Sequence, residues 1–140
     1  MIALSLFFIF NCSRKRKVPK EIASVIIQNI NATNKKYLKK VVHTLCPIAP
    51  RYEYTIKVYK KLFSMKRKIT FEIQEMRLIE KSETEVTVEV IQRMKVKNPK
   101  SRIESEKTRI EHVLVKHNGK WGFFASKIIS REHIDKNSLE

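Results

Sequence analysis

Residues 103–129 read IESEKTRIEHVLVKHNGKWGFFASKII, and this stretch decides the fold. At its centre lies Asn118-Gly119, a strong hairpin signal because a type I′ turn needs positive φ at both central residues. We therefore expect Ile103 to Lys116 to pair antiparallel with Trp121 to Ile129. Strict alternation divides the second strand into one face with Trp121, Phe123 and Ala125 and another with Phe124, Ser126 and Ile128. A strand with Trp and Phe on one side needs an apolar layer across it.

Composition indicates one basic globular domain. The chain has 140 residues, of which 42% are hydrophobic and occur in periodic runs, so it is long enough for a single core. Its 30 Lys and Arg against 14 Asp and Glu give a formal net charge of +16, which attracts anionic partners unless the basic residues merely cover solvated faces. The two glycines, Gly119 and Gly122, are too few for a glycine-rich phosphate loop.

The N-terminus carries an apolar run, Ile2 to Phe10, that is too short for a bilayer-spanning helix of about twenty residues but suits the core of a secretory signal. With Cys12 behind it, the run resembles a bacterial lipoprotein signal. That resemblance implies a signal peptide over residues 1–12, acylation of Cys12 and a protein anchored in the cell envelope. An uncleaved N-terminus in a cytoplasmic protein is the alternative. A bridge between Cys12 and Cys46 stays open, although two cysteines do not make a disulfide framework.

Two basic segments follow from the charge pattern. The first lies within residues 13–18, where it would form a basic tether on an anionic membrane surface next to the lipid. Without export it would instead be typical of nuclear localisation or nucleic-acid binding. The second surrounds the third predicted helix, without interleaved aromatic side chains that stack on bases, so nucleic acid is the less favoured partner. The residues are Arg14, Lys15, Arg16 and Lys17 in the first segment, and Lys57, Lys60, Lys61, Lys66, Arg67 and Lys68 in the second.

Helical spacing of apolar residues predicts three amphipathic helices. The first begins at Val18-Pro19 and stops at the polar stretch 31–34. The second extends from there to Cys46, where two prolines end it, and the third runs from about Arg51 to Ser64. Their apolar faces consist of Ile22, Ile26 and Ile30; of Leu38, Val41, Val42 and Leu45; and of Tyr52, Ile56, Tyr59 and Phe63.

After Ser64 the period changes to two, which predicts strands from Ile69 to Glu80 and from Glu85 to Lys97. In the first of these, apolar parity flips between Ile73 and Met76, so we expect a β-bulge at Gln74 or Glu75. Turns are expected at residues 81–84 and 98–101. The last ten residues, 131–140, carry no pattern and are expected to fray.

Three helices, a proline-marked loop after the second, and four long strands ending in a Gly-Lys-Trp hairpin resemble the nuclear transport factor 2-like (NTF2-like) superfamily. The resemblance covers residues 19–130 and rests on three stretches. It implies an α+β fold, in which three helices pack on a curved, mainly antiparallel four-stranded sheet with a pocket at the open end of the cone. The stretches are Tyr37-Leu38 with His43-Thr44-Leu45-Cys46-Pro47, the strand pair Ile69 to Glu80 with Glu85 to Val96, and His117-Asn118-Gly119-Lys120-Trp121-Gly122-Phe123.

Enzymes of this superfamily place an Asp or His with Tyr donors in the pocket. Here the single aspartate, Asp135, lies in the tail, and a single His on an apolar strand face, as His112 is, is more often a hydrogen-bonded core residue than a catalytic one. We therefore assign no catalytic residue, and we expect no cofactor and no metal, since His43, His117 and His133 lack ligand spacing. Aromatic side chains either line a ligand pocket or simply fill the cone. The pocket candidates are Tyr52, Tyr59, Phe63, Phe71, His112, Trp121 and Phe123.

The sequence therefore indicates an exported, lipid-anchored NTF2-like module that binds a small apolar ligand or a protein partner without catalysis. One alternative is an isomerase- or hydrolase-type enzyme using His112 with Tyr52 or Tyr59. A nucleic-acid-binding protein is the other. Apolar residues Ile91, Val113 and Val115 lie on the parity opposite the core, and they suggest a homodimer through the back of the sheet.

Overall fold

The computed structural model describes residues 16–97 and 103–134, which form an α+β domain of three helices followed by four strands. Within these residues no helix is both long and apolar enough to cross a bilayer. The helices are α1 (Lys20–Asn34), α2 (Leu38–His43) and α3 (Tyr52–Ser64), and the strands are β1 (Lys68–Lys81), β2 (Glu85–Lys97), β3 (Ile103–His117) and β4 (Lys120–Ile134).

The strands form one antiparallel sheet in the order β1-β2-β3-β4, so each strand pairs with its neighbour in the chain. Asn118 and Gly119 join β3 to β4 with φ of 51° and 75°, which confirms the hairpin that their sequence predicted. Residues 82–84 connect β1 to β2 as expected. The turn predicted at 98–101 lies outside the described residues.

Bulges bend the sheet. The register of β1 shifts between Ile73 and Glu75, where the parity flip predicted it, and shifts again between Leu78 and Glu80. The pairing of β3 with β4 contains two further register shifts, between Arg109 and Ile110 and between Val113 and Leu114. Extra residues on one strand increase local twist, so these four irregularities curl the sheet around the helices.

One of the β4 bulges corrects the predicted faces. Phe123 pairs with Leu114 while Ala125 pairs with Val113, which leaves Phe124 as the extra residue. After this bulge Ser126 lies opposite His112 and joins the face of Phe123, whereas Ala125 moves to the other face. The assignment by strict alternation was therefore wrong beyond Phe123, because an inserted residue reverses parity for everything that follows it.

The main core lies where α1 crosses the inner face of β2 and β3. Ile22 and Ile26, one helical turn apart, are at most 1% exposed. They pack in one cluster with inner-face residues of the sheet that are fully buried, and Trp121 closes the cluster at the β3–β4 hairpin. The fully buried sheet residues are Val86, Val88, Val90 and Leu114.

Two connections tie the edges of the sheet to other segments. The Leu78 amide donates to the carbonyl of Arg16 at 3.0 Å on the β1 edge. On the β4 edge, the Phe123 amide donates to Thr44 and the Cys46 amide donates to Phe123, both at 2.9 Å. A Cβ at Gly122 would lie 2.8 Å from the Cys46 nitrogen, so glycine allows this close approach of two backbones.

The element boundaries differ from the predicted ones in three places. Helix α1 continues through residues 31–34, where a break was expected, because the Asn34 side chain faces the sheet instead of competing for helical hydrogen bonds. Its amide donates to the Phe71 carbonyl at 2.8 Å, and its oxygen accepts from the Phe71 amide at 2.7 Å. Helix α2 has only six residues, and β4 continues through residues 131–134, which were assigned to a frayed tail. Residues 135–140 lie outside the described part of the chain.

Candidate ligand-binding cavity

A cavity of about 750 Å³ lies between α3 and the concave face of β3 and β4. Its volume falls within the range of about 300–1,000 Å³ that is usual for small-molecule sites. Apolar and aromatic side chains form most of its wall, and a second space of about 230 Å³ adjoins it toward Phe71 and Gln92. The cone is therefore hollow at its open end.

Helix α3 forms the outer wall of this cavity. It is described along its whole length, and none of its residues is fully buried, although its apolar face is regular. The segment before the helix is hydrogen-bonded to the β4 edge through Cys46 and then turns at Pro47 and Pro50. The start of α3 is therefore attached to that edge. Its Tyr52, Thr55 and Tyr59 side chains line the space.

His112 stands on the opposite wall. Its Nδ1 lies 2.7 Å from the Ser126 hydroxyl, and the Phe123 ring meets the imidazole edge to face at 5.0 Å. Burial lowers the pKa of His112 to about 4 because desolvation disfavours the imidazolium. The ring is therefore neutral at pH 7 and presents one donor and one acceptor.

A polar network closes the inner end. The Tyr59 hydroxyl donates to Asn29 Oδ1 at 3.4 Å, and Asn29 Nδ2 donates to the Thr44 hydroxyl at 2.9 Å. Burial raises the pKa of Tyr59, partly offset by hydrogen bonds to Asn29 and Thr33. Tyr59 therefore stays a neutral phenol whose remaining hydrogen-bonding capacity faces the cavity.

Charge is confined to the mouth. Among the described residues that line the larger cavity, Arg51 is the one with a permanent charge, and none is Asp or Glu. The Arg51 guanidinium carbon lies 5.5 Å from the centre of the Tyr54 ring, a cation–π distance. Tyr54 is 61% exposed, so this pair stands at the rim in contact with solvent.

The structure distributes the seven predicted pocket residues over four places. Tyr52, Tyr59, His112 and Phe123 line the larger cavity, and Phe71 lines the smaller one. Phe63 lies against the Tyr59 ring with centroids 5.9 Å apart, and Trp121 is buried in the main core.

Among the residues missed by sequence reasoning, three contribute hydrogen bonds or charge to the site. Asn29 follows Ile26 by three positions on the buried face of α1, a signal that the apolar pattern hid. Arg51 was treated only as the start of a helix. Ser126 reaches the cavity because of the bulge at Phe124, for which the sequence shows no parity signal.

The predicted basic residues fall into two separate groups, and the described ones are exposed. Arg16 and Lys17 lie beside Leu78 on β1, whereas Lys68 begins the same strand ten residues earlier, roughly 30 Å away at strand rise. Lys57, Lys60 and Lys61 lie on α3, with Lys66 and Arg67 after it. Cys12, Arg14 and Lys15 lie outside the described residues. In residues 16–97 and 103–134, no group of His, Cys, Asp or Glu could hold a metal ion.

The convex face of the sheet mixes apolar and charged side chains. Ile91, Val113 and Val115 are half-buried there. Glu89 lies 3.3 Å from the Arg77 guanidinium and 3.9 Å from that of Arg109, so this face is covered in part by ion pairs.

These features define an NTF2-like α+β cone, and solved structures share the fold at low sequence identity. An NTF2-like protein from Salmonella enterica superposes with a TM-score of 0.65 at 12% identity, covering 78% of this chain and 87% of that one. A scytalone dehydratase-like protein from Novosphingobium aromaticivorans gives 0.68 at 13%, covering 83% and 87%. The association domain of C. elegans calcium/calmodulin-dependent protein kinase II gives 0.64 at 13%, covering 79% and 94%.

Residues 24–134 match the family described as anti-sigma-I factor RsgI9, C-terminal domain, and this chain belongs to that family. The match begins inside α1 and ends with β4, so it spans the cavity and both of its walls. A search of curated proteins finds no match.

Proposed function

We propose that this protein is an exported, lipid-anchored binding module of the cell envelope whose cone takes a small, largely apolar ligand. The observation that carries the proposal is the open space of about 750 Å³ under α3, lined mainly by apolar and aromatic side chains. Burial of apolar ligand surface against this lining supplies the driving force. Tyr59 and His112 provide neutral hydrogen bonds that orient the ligand.

The electrostatics of the cavity favour binding over proton transfer. A general base works best when its pKa lies near the working pH, and burial holds the pKa of His112 far below neutrality. The described lining holds no carboxylate that could raise it. His112 therefore acts in this proposal as a hydrogen-bonding wall residue.

One observation supports a competing enzymatic function. The 2.7 Å contact between His112 and the Ser126 hydroxyl has the geometry of a base and a nucleophile. Hydrolysis of p-nitrophenyl acetate by the wild-type protein, abolished in both Ser126→Ala and His112→Gln, would support the enzyme and oppose the module. We expect wild type and both variants to match the uncatalysed rate.

The anchoring part of the proposal rests on the sequence of the N-terminus. Acylation of Cys12 would attach the chain four positions before Arg16, whose carbonyl bonds to β1. Four residues extend at most about 14 Å, so the domain would lie against the membrane surface. The exposed Arg16 and Lys17 would then face anionic headgroups.

Binding in the cavity is tested with N-phenyl-1-naphthylamine, a neutral probe that fluoresces in apolar sites. Wild type should bind it, and Thr55→Phe, which fills the wall of α3, should abolish binding. Thr70→Phe makes the same change on an exposed site of β1 and should bind as wild type does. Equal binding by both variants would place the probe elsewhere and reject the cavity as the site.

Anchoring is tested by growing bacteria that express the full chain with a radioactive fatty acid. We expect label on wild type and on Cys46→Ala, and none on Cys12→Ser. An unlabelled wild type, or label that persists in Cys12→Ser, would remove the anchor from the proposal and leave the binding test untouched.

Self-association through the convex face is a separate part of the proposed behaviour. Its support is the half-buried trio Ile91, Val113 and Val115 on that face. Light scattering on wild type and on Val113→Lys tests it. A dimer that Val113→Lys converts to a monomer supports the face, and a monomeric wild type rejects it.

A further inference from the structure

We infer that the ligand of the cavity is an amphiphile with a single anionic group, which binds Arg51 at the mouth while the apolar body enters the cone. This inference rests on the proposed binding function and specifies the chemical class of the ligand. It follows from how charge, aromatic surface and neutral polar groups are distributed along the cavity.

The mouth supplies one cationic contact in a defined place. Arg51 lies directly before α3 and its guanidinium stays beside the Tyr54 ring, at 5.5 Å from the ring centre. A guanidinium pairs with a carboxylate, sulfonate or phosphate through parallel hydrogen bonds, and a weakly hydrated one does so at low desolvation cost. An aromatic neighbour that limits its motion lowers the entropy lost on binding.

The interior excludes a second charge of either sign. The described lining holds no carboxylate to pair with a ligand cation, and His112 is neutral because burial lowers its pKa to about 4. Tyr59, with its pKa raised by burial, is likewise uncharged at neutral pH. An ionised group at this depth would have no partner and would carry its full desolvation penalty.

The neutral groups inside match a largely apolar body that carries an uncharged hydrogen-bonding atom. Between the mouth and Tyr59 the wall is formed by side chains such as Leu45, Val58, Ile110 and Phe123. Tyr59 lies on α3 and His112 on β3, so an ether, carbonyl or aromatic amine of the ligand, each uncharged at pH 7, could reach either one. The net charge of +16 adds long-range attraction for an anion.

A matched pair of fluorescent probes tests the inference. N-phenyl-1-naphthylamine and 8-anilino-1-naphthalenesulfonate share one aromatic body and differ by a sulfonate. Wild type should bind the sulfonate about tenfold more tightly, the order of effect expected for a charge-assisted hydrogen bond. Arg51→Gln should reduce the ratio of the two affinities to about one, and because both probes are measured on the same variant, the ratio separates the lost charge from any change in the cavity wall.

Three further variants separate the Arg51 contact from general charge and from the cavity itself. Arg67→Gln removes one positive charge from an exposed site outside the cavity lining and should keep the tenfold preference. Thr55→Phe should lose both probes. Arg51→Lys should retain part of the preference, since it keeps the charge but not the planar fork.

The outcomes distinguish this inference from the proposed function. If the wild-type protein binds neither probe, the binding cavity as a whole is rejected. Neutral-probe binding without a preference for the sulfonate would overturn the inference alone. So would a preference that Arg67→Gln weakens as much as Arg51→Gln does.

Discussion

The two ends of the cone use the same kinds of element with opposite results. At the closed end, α1 lays Ile22 and Ile26 on β2 and β3, and these residues are at most 1% exposed. At the open end, α3 has an equally regular apolar face, but none of its residues, all of them described, is fully buried. Amphipathic spacing therefore predicts which face of a helix turns inward and says nothing about whether that face meets a partner.

The difference comes from how each helix is attached. Helix α1 is bound to the sheet at both ends, through the Arg16–Leu78 pairing before it and the Asn34–Phe71 hydrogen bonds at its last residue. The segment before α3 is joined to the β4 edge through the Cys46–Phe123 hydrogen bond, and α3 itself bonds to α1 through Tyr59 and Asn29. The apolar face of α3 lies across the cavity from the sheet. The closed end holds the sheet and α1 in place, and the open end, where α3 packs loosely, leaves space for a ligand.

The largest expected effect contrasts two isoleucines. Ile26→Ala should lower the free energy of unfolding by about 3 kcal/mol, because it leaves a cavity in the closed end. Ile56→Ala, on half-buried α3, should cost about 1 kcal/mol, since little buried surface is lost there. Urea denaturation measures both. Equal losses would mean that the two ends are packed alike.

The second prediction concerns pH and the buried imidazole. The pKa of His112 is about 4 in the folded protein against an ordinary 6.5, so between these values the unfolded chain binds the proton more strongly. Stability should therefore fall as pH drops from 6.5 to 4, by up to about 3 kcal/mol from this group. This contribution of His112 to the free energy of unfolding is fully present above pH 6.5 and is lost toward pH 4.

Urea denaturation from pH 4 to pH 7 checks this sign against His112→Gln. The variant removes the titrating ring, so its unfolding free energy should decline less steeply toward pH 4 than that of wild type. The comparison uses the slope and not the absolute stability, because the substitution also changes packing. Parallel profiles would show that His112 titrates normally in the folded state.

A third prediction concerns the joint between β4 and the segment before α3, where Gly122 lies against Leu45 and Cys46. Gly122→Ala places a Cβ 2.8 Å from the Cys46 nitrogen and 3.0 Å from the Leu45 carbonyl carbon, so the backbone must shift. We expect a loss of about 2 kcal/mol, as for other overpacked sites. Weaker binding of the neutral probe should accompany it, since the shift moves the helix that walls the cavity.

Gly119→Asn is the matched control for that joint. Gly119 has φ of 75° with open space around its Cα, and asparagine tolerates this region of φ. The variant should keep probe binding and lose about 1 kcal/mol, because a side chain at this positive φ is strained even where space is open. Equal effects of the two substitutions would place the constraint at the hairpin instead of at the joint.

The last prediction concerns the C-terminal attachment of α1, where the expected effect is smaller than at Ile26 or Gly122. Asn34→Ala removes both hydrogen bonds to Phe71 and should cost about 1–2 kcal/mol. Asn34→Asp keeps the acceptor for the Phe71 amide, so its free energy of unfolding should lie between those of wild type and Asn34→Ala. Asn31→Ala, one turn earlier and exposed, should stay within about 0.5 kcal/mol of wild type. A neutral Asn34→Ala would show that packing alone holds α1 to the sheet.

Much of the fold could be predicted from local patterns. The Asn118-Gly119 turn, the bulge beside Ile73 and the apolar stripe of α1 each have a cause within a few residues. The NTF2-like fold followed from their order along the chain. The bulge at Phe124 had no parity signal, so the predicted faces of β4 were reversed beyond Phe123.

The candidate site was predictable only in part, because its residues come from four separate elements. Tyr52 and Tyr59 were recognisable as one helical face, and His112 as an inward position on a strand. Arg51 and Ser126 became visible only through the cavity that they line. A contact across the cone depends on the distance between walls, which no local spacing encodes.

The sequence by itself determined the elements, their order, the antiparallel pairing and the inward face of each helix, since these depend on side-chain period and turn chemistry. Only the tertiary structure decided that α3 stands away from the sheet, that Ser126 meets His112, and that Arg51 holds the one permanent charge in the described cavity lining. The physical reason is that packing distance and bulge position arise from the sum of many weak contacts over the whole chain. A hydrophobic pattern specifies which face of a helix or strand turns inward, whereas the size of a cavity depends on the positions of all the elements that surround it.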